Sequence, residues 1–176
     1  MDLEYFGFDK NIIMISLVQL STENKDYVID GFSLRRLIST HLGWLFESPN
    51  ILKILHGCDS DLQLLMTDLG IMCLNFFDTA KAYVFMMTEC GAKKTHTLFK
   101  SLEYLVEHFL NVKLDKSFQI ADWRIRPLPK AMLQYARCDT HFLIQLYSVI
   151  TGAIRGDVGI LEAFASKLPP LIQNDE

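Results

Sequence analysis

An apolar run near the start of the chain, Ile12–Leu20 (IIMISLVQL), constrains the fold more than any other feature, because it is rich in β-branched residues. Such a run predicts a strand, since β-branched side chains fit the pleated surface of a sheet. A second strand is predicted at Tyr27–Ile29, after the polar stretch STENKD. This spacing predicts a β-hairpin, and therefore antiparallel strands early in the chain.

Strand and helix signals alternate after the hairpin. Apolar residues recur with helical spacing from Ser33 to Glu47, a short strand is predicted at Ile51–Leu55, and a helix at Ser60–Leu69 would end at Gly70. The remaining predictions are a strand at Ile71–Leu74, a helix from Asp78 or Thr79 to Met87, a loop at Thr88–Thr97, a helix at Leu98–Leu110, an irregular segment at Asp115–Pro129, a long helix at Lys130–Ile154 and a short helix at Val158–Lys167. This order predicts an α/β fold with a mixed sheet.

Composition limits the class of protein. With 176 residues, 50% hydrophobic and 22% charged, the chain is large enough for one globular domain with its own core. No apolar run reaches the roughly 18–20 residues of a membrane span, so we expect no membrane association. The four cysteines are dispersed without CxxC spacing, which favours reduced thiols over disulfides or zinc.

Acidic residues from separated segments are the candidate metal ligands. Asp2 and Glu4 are two residues apart, so a strand would place both carboxylates on one face. Asp59 and Asp61 lie in HGCDSDL, at a strand–helix junction of the kind where α/β sites gather, and the spacing does not choose between them. Clustered carboxylates suit Mg²⁺ or Mn²⁺. Taken one at a time, the same acids fit solvated residues or helix caps.

A tyrosine and an acid share one face of the predicted helix that follows a Pro-Leu-Pro turn. Tyr135 and Asp139 are four residues apart, so the phenol and the carboxylate point into one site. The alternative is a tyrosine whose ring lies in the core and whose hydroxyl reaches solvent, with an acid that is simply exposed. Together with the upstream acids, the pair favours a two-metal phosphodiesterase.

Trp123, Arg124 and Arg126 interleave an aromatic side chain with two cations. Such a mixture suits single-stranded nucleic acid, and equally a core tryptophan whose neighbouring arginines pair with acids. The formal net charge of −4 argues against nucleic-acid binding. Two divalent cations held by the acids would bring that charge to zero.

Five motifs resemble those of the DEDDy group of 3′→5′ exonucleases in the RNase D superfamily, and within it the branch associated with the nuclear RNA exosome. They are DLE at Asp2–Glu4, HGCDSDL at His56–Leu62, FDTA at Phe77–Ala80, QIADWRIRPLP at Gln119–Pro129 and YARCDTHFL at Tyr135–Leu143. The resemblance spans roughly residues 1–150 and implies an RNase H-like (DnaQ-like exonuclease) fold. The sister DEDDh group has a histidine five residues before the last acid, where this chain has Gln134.

The resemblance implies a 3′→5′ exoribonuclease that trims single-stranded RNA with two divalent cations, Mg²⁺ or Mn²⁺, and releases nucleoside 5′-monophosphates. Asp2, Glu4 and Asp139 would hold one cation, and Asp2 would bridge to a second that Asp61 also serves. Tyr135 would orient the attacking water. The substrate-binding residues implied by the resemblance are Leu3, Tyr5, His56, Leu64, Lys116, Trp123 and Arg124. Leu64 stands where this branch usually has a tryptophan.

The resemblance also implies an exonuclease domain at residues 1–155, with its first strand truncated before Asp2. Residues 156–176 would form a helical tail without a complete helicase-and-RNase-D C-terminal domain. A nuclear protein is implied, with the cytoplasm left open. The implied partner is single-stranded RNA, the RNA exosome is a further partner that the chain itself does not indicate, and no membrane partner is expected.

Two alternative functions stay open. A pseudo-nuclease that binds RNA or a protein is favoured by the short first strand and by Leu64. A DNA-directed 3′→5′ exonuclease is disfavoured by the block ADWRIRPLP, which is specific to the exosome branch.

Overall fold

The computed structural model describes residues 1–9, 12–90 and 98–156, in which five strands and six helices form an α/β fold. The strands are β1 (Asp2–Asp9), β2 (Ile12–Ser21), β3 (Asp26–Asp30), β4 (Lys53–Leu55) and β5 (Phe76–Asp78). The first three form an antiparallel sheet in the order β1-β2-β3, and β4 and β5 form a parallel pair. The nitrogen of Met1 donates to the Ile54 carbonyl at 2.7 Å and joins the start of β1 to β4. The predicted hairpin and the mixture of strand directions are confirmed.

The helices cover these strands. They are α1 (Arg35–Glu47), α2 (Asp59–Leu69), α3 (Thr79–Glu89), α4 (Leu102–Leu110), α5 (Lys130–His141) and α6 (Leu143–Ile154). α2 packs on β2, α5 packs on both β2 and β3, and α6 packs on α3, α4 and β4. None of the helices in the described ranges is long and apolar enough to span a membrane.

Buried apolar side chains fall into three groups. The first includes Ile15, Ile38 and Leu65 and lies between the hairpin and helices α1 and α2. The second joins α3, α4 and α6 through residues such as Tyr83 and Leu146. The third, made by Leu17, Trp123, Met132 and Ala136, lies beneath α5 and fixes that helix on the sheet.

The strand predicted at Ile71–Leu74 is wrong. α2 ends at Leu69 and is capped by Gly70, whose φ of 68° lies in the left-handed region, as the sequence predicts for the residue after a helix. Ile71 then fills the core and the Leu74 nitrogen donates to the Phe46 carbonyl, so this segment makes no ladder. Asn75, with φ of 50°, turns the chain into β5, which pairs with β4.

The predicted long helix is two helices, α5 and α6, separated at Phe142 (φ −90°, ψ −5°). The two segments pack on different parts of the molecule, which explains the break. α4 starts at Leu102 rather than Leu98, because the Ser101 hydroxyl caps it by accepting from the Tyr104 nitrogen at 3.3 Å. The predicted helix at 158–167, and residues 91–97 of the predicted loop, lie outside the described residues.

Candidate active site

Three carboxylates meet where β1 passes under α5. The oxygens that Asp2, Glu4 and Asp139 offer lie within 4.8 Å of one another, and these three residues are here called the acid cluster. Asp2 and Glu4 share a face of β1 because side chains alternate along a strand. Glu4 is opposite Leu17 on β2, and Leu17 packs beneath α5. The helix that carries Asp139 therefore covers the face that carries the other two acids.

Asp61 lies beside the acid cluster but is not one of the three residues within 4.8 Å. It is in the first turn of α2 and only 8% exposed, and burial, followed by the charge of Asp2, raises its pKa to about 7. By contrast, the Asp59 side chain is 77% exposed and pairs with Lys81. The structure thus distinguishes two acids that the sequence spacing does not.

The electrostatics of the site favour a bound cation. Burial, followed by the charge of Asp139, raises the pKa of Asp2 to about 7, and burial raises the pKa of Asp139 to about 7. Burial, followed by the charges of Asp2, Asp139 and Asp61, raises the pKa of Glu4 to about 9. Within the described ranges, no lysine, arginine or histidine side chain forms an ion pair with these acids. A cluster of buried oxygen ligands without a compensating side chain fits a divalent cation.

Tyr135 is close to the acid cluster, one helical turn before Asp139. Its ring lies among aromatics, with centroid distances of 6.0 Å to Phe118 and 5.9 Å to Trp123. Burial, then the charges of Asp139 and Glu4, raise the pKa of the phenol above its usual value. The group therefore stays protonated at neutral pH and can donate a hydrogen bond at the site.

Asp78 is a residue that the sequence predicted only as a helix cap. It caps α3 through the Ala80 nitrogen at 2.9 Å, and it also accepts from the Gly57 nitrogen at 3.0 Å and the Cys58 nitrogen at 3.1 Å. Although burial acts in the opposite direction, the hydrogen bonds from Gly57 and Cys58 lower the pKa of Asp78. Its carboxylate thereby holds the loop that leads into Asp61. The motif FDTA at the end of β5 is the sequence signal that carries this role.

His56 belongs to the same loop, and both of its ring nitrogens are occupied. Nδ1 lies 2.9 Å from the Thr79 hydroxyl and Nε2 lies 3.0 Å from the Lys100 carbonyl. Burial lowers the pKa of this histidine. Neither nitrogen is free for a substrate in this structure, so any contact would be made by the ring itself.

Four more predicted substrate residues differ in exposure. Leu3 is buried in the first core group, and so is Leu64, which is 6% exposed. Trp123 is 3% exposed and packs beneath α5. Tyr5 is exposed. Of these four, only Tyr5 presents a large free surface.

The two predicted substrate-binding cations are engaged by acids. Lys116 pairs with Glu103. Arg124 forms a two-pronged pair with Asp122, with both distances 2.7 Å, and its guanidinium lies 3.9 Å from the Phe6 ring centroid. These contacts agree with the interpretation of arginines paired with acids, and a role in binding RNA stays a prediction.

The fold and the acid cluster together define a class: an RNase H-like α/β domain of the DnaQ-like exonuclease type. A family model described as 3′-5′ exonuclease matches residues 1–155. The chain belongs to this 3′-5′ exonuclease family.

Similar proteins agree with that assignment. The chain is 40% identical over 146 residues to the exosome complex exonuclease RRP6 of Saccharomyces cerevisiae, covering 83% of this chain and 19% of that one. It is 41% identical over 150 residues to the exosome complex component 10 homolog of Drosophila melanogaster, covering 85% of this chain and 16% of that one. The chain therefore spans less than a fifth of either relative. The solved catalytic core of RRP6 from Trypanosoma brucei matches 94% of this chain and 43% of its own, with a TM-score of 0.78 and 34% identity.

Proposed function

We propose that this chain is the catalytic domain of a 3′→5′ exoribonuclease that trims single-stranded RNA ends and releases nucleoside 5′-monophosphates. The observation that carries the proposal is the acid cluster, three carboxylates within 4.8 Å of one another, with Tyr135 one turn before Asp139. Membership of the 3′-5′ exonuclease family supports it. Similarity to relatives named as exosome exonucleases supports RNA as the substrate.

The acid cluster fits a metal role because its members are acceptor-only groups that repel one another when ionised. Asp2, Glu4 and Asp139 would hold one divalent cation, Mg²⁺ or Mn²⁺. Asp2 would be shared with a second cation, to which Asp61 contributes directly or through water. When bound, the cations would supply positive charge that stabilises both the attacking and the leaving oxygen of an in-line displacement.

Tyr135 would orient the attacking water at the last phosphodiester of the strand. A phenol whose pKa lies above its usual value of about 10 is a poor base at neutral pH. It acts instead by donating or accepting a hydrogen bond. The oxygen of the water bonds to phosphorus and the water loses a proton to solvent. The bond from phosphorus to the preceding 3′ oxygen breaks, and that oxygen takes up a proton from solvent to leave a new 3′ hydroxyl.

The proposal includes a partner, suggested by the relatives' names, and a cellular location, suggested by the motif resemblance. Assembly with an RNA exosome, and the nuclear location that the motif resemblance implies, belong to the whole protein. The carboxylate centre can be tested without either.

The test is degradation of a 5′-labelled single-stranded RNA in Mn²⁺ or Mg²⁺, with a matched DNA strand alongside. We expect a ladder that shortens from the 3′ end, nucleoside 5′-monophosphate as product, and a preference for RNA, since only RNA offers the 2′-hydroxyl. EDTA and Asp139→Asn should each abolish the ladder, whereas Asp59→Asn should leave it intact.

Each other outcome selects a different function. Equal degradation of DNA would replace the RNA assignment with a DNA-directed exonuclease. Folded protein that binds RNA without shortening it, in either metal, would replace catalysis with a pseudo-nuclease that binds RNA.

A further inference from the structure

Gln19 is a fully buried amide without a partner. Its side chain is 0% exposed, and neither its carbonyl oxygen nor its amide nitrogen has a hydrogen-bond partner among the described residues. Burying an amide without hydrogen bonds is unfavourable, because the group gives up its bonds to water and gains none in return. A glutamine in the middle of β2 therefore calls for a functional reason.

The register of the sheet places Gln19 beside the acid cluster. Gln19 is directly opposite Asp2 in the antiparallel β1–β2 pair, and opposite Val28 in the β2–β3 pair. Residues that are opposite in an antiparallel pair project from the same face, with Cβ atoms about 4.5–5.5 Å apart. The amide thus shares the face of Asp2 and is its neighbour across the strand.

Contacts between β2 and α5 confirm that the sheet face carrying Gln19 is the face covered by Asp139. Leu17, two residues before Gln19, packs in one group with Ala136 of α5. Ser21, two residues after it, has its hydroxyl 2.6 Å from that of Thr140. Gln19 therefore lies beneath the turn of α5 between Ala136 and Thr140, and that turn carries Asp139.

We propose that Gln19 is a positioning residue for the proposed metal centre: its amide N–H groups donate to a carboxylate of Asp2 or Asp139 when these hold a cation. An ionised carboxylate can only accept, and the amide is a donor held on the same buried face. Such a bond fixes the orientation of the oxygens that face the cation. The inference rests on the proposed function, because it assigns Gln19 to that same centre.

The first test is Gln19→Met, which keeps the length of the side chain and removes both polar atoms. We expect the metal-free melting temperature to stay the same or rise, because an unpartnered amide is removed. We expect the Kd for Mn²⁺, measured by calorimetry, to rise about 10-fold or more, as for other groups that orient metal ligands. Turnover should fall while KM for RNA is kept.

The matched control is Ser16→Ala. Ser16 is also on β2, fully buried, and its hydroxyl is also without a partner in the described part of the chain. It should leave Mn²⁺ affinity unchanged. An unchanged Mn²⁺ affinity in a folded Gln19→Met protein would overturn the role of Gln19, and so would an equal loss in Ser16→Ala.

A second measurement uses the unaltered protein and does not depend on how the variant folds. In a Mg²⁺ titration followed by ¹H–¹⁵N NMR, the side-chain NH₂ signal of Gln19 should move downfield and saturate with the binding of the cation. A signal that stays in place while Mg²⁺ binds would refute the inference and leave the proposed function standing. A wild-type protein that binds neither Mg²⁺ nor Mn²⁺ would instead contradict the proposed function.

Discussion

The phenol of Tyr135 has a raised pKa because it is buried and lies near the charges of Asp139 and Glu4. We predict that Tyr135→Phe lowers turnover about 100-fold or more while Mn²⁺ affinity is kept, because the ring stays and only the hydroxyl is lost. Single-turnover kinetics and calorimetry measure the two effects. Tyr27→Phe, at an exposed tyrosine of β3, is the control. Loss of Mn²⁺ binding in Tyr135→Phe would contradict an orienting role.

Asp59 and Asp61 are a matched pair two residues apart in the same turn of α2. Asp61→Asn should raise the metal-free melting temperature, since it neutralises a buried carboxylate beside Asp2. It should also lower turnover about 100-fold or more, if Asp61 serves a cation. Asp59→Asn loses an exposed pair with Lys81, so neither quantity should change much. Similar losses of turnover in both variants would argue against Asp61 as a ligand.

At the scale of elements, Arg126 attaches an irregular segment to the sheet. Its guanidinium donates to both carboxylate oxygens of Asp30, at 2.7 Å and 2.9 Å, and to the carbonyls of Ser16 and Trp123. The hydrogen bonds from Arg126 hold the pKa of Asp30 well below its usual range. Segment 115–129 therefore has a fixed path over β2 and β3 without forming a helix or a strand.

We predict that Arg126→Lys lowers the melting temperature at pH 7 by about 2–4 °C, the equivalent of about 1 kcal/mol after allowance for solvent screening. Asp30 has a lowered pKa in the folded state. Its pairing therefore stabilises fully above the unfolded pKa of about 3.9 and is lost as pH falls below it. The difference between variant and wild type should shrink towards pH 2 in calorimetric scans. Arg124→Lys, at an exposed pair, is the control; an equal effect there would contradict the anchoring role.

The elements that the sequence predicts best are those in which the pattern of apolar residues matches the residues that are buried in the fold. The hairpin was predictable because a β-branched apolar run precedes a polar loop, and α1 because its apolar residues recur with helical spacing. The end of α2 was predictable because glycine is favoured in the left-handed conformation that follows a helix. The irregular structure of Ile71–Leu74 was not predictable, because a short apolar run fits a buried irregular segment as well as a strand. The break at Phe142 was not predictable either, because it depends on the elements against which α5 and α6 each pack.

The candidate site divides in the same way. The motif resemblance predicts Asp2, Glu4, Asp61, Tyr135 and Asp139, and the structure brings Asp2, Glu4 and Asp139 together. Spacing alone does not choose between Asp59 and Asp61, and the burial of Asp61 agrees with the choice that the resemblance implies. The setting of Gln19 was not predicted, because strand register and helix packing are tertiary properties that no local pattern contains.

The fold brings the first strand of the chain and the much later helix α5 to one centre. β1 supplies two acids at the start, and α5 supplies the third about 135 residues later, with the other four strands and four helices between them in sequence. The formal net charge of −4 already counts these acids as ionised, and without a cation their neighbouring like charges would repel one another. Cation binding should therefore stabilise the folded protein as a whole.

The most direct test of the proposed metal centre is a Mn²⁺ titration followed by electron paramagnetic resonance, which reports the free ion. We predict that the wild-type protein binds Mn²⁺, with up to two ions per chain, that Asp59→Asn binds as many, and that Asp139→Asn binds fewer and more weakly. Folded wild-type protein that leaves all Mn²⁺ free would overturn the proposed metal centre. So would an Asp139→Asn protein that binds as many ions as the wild type.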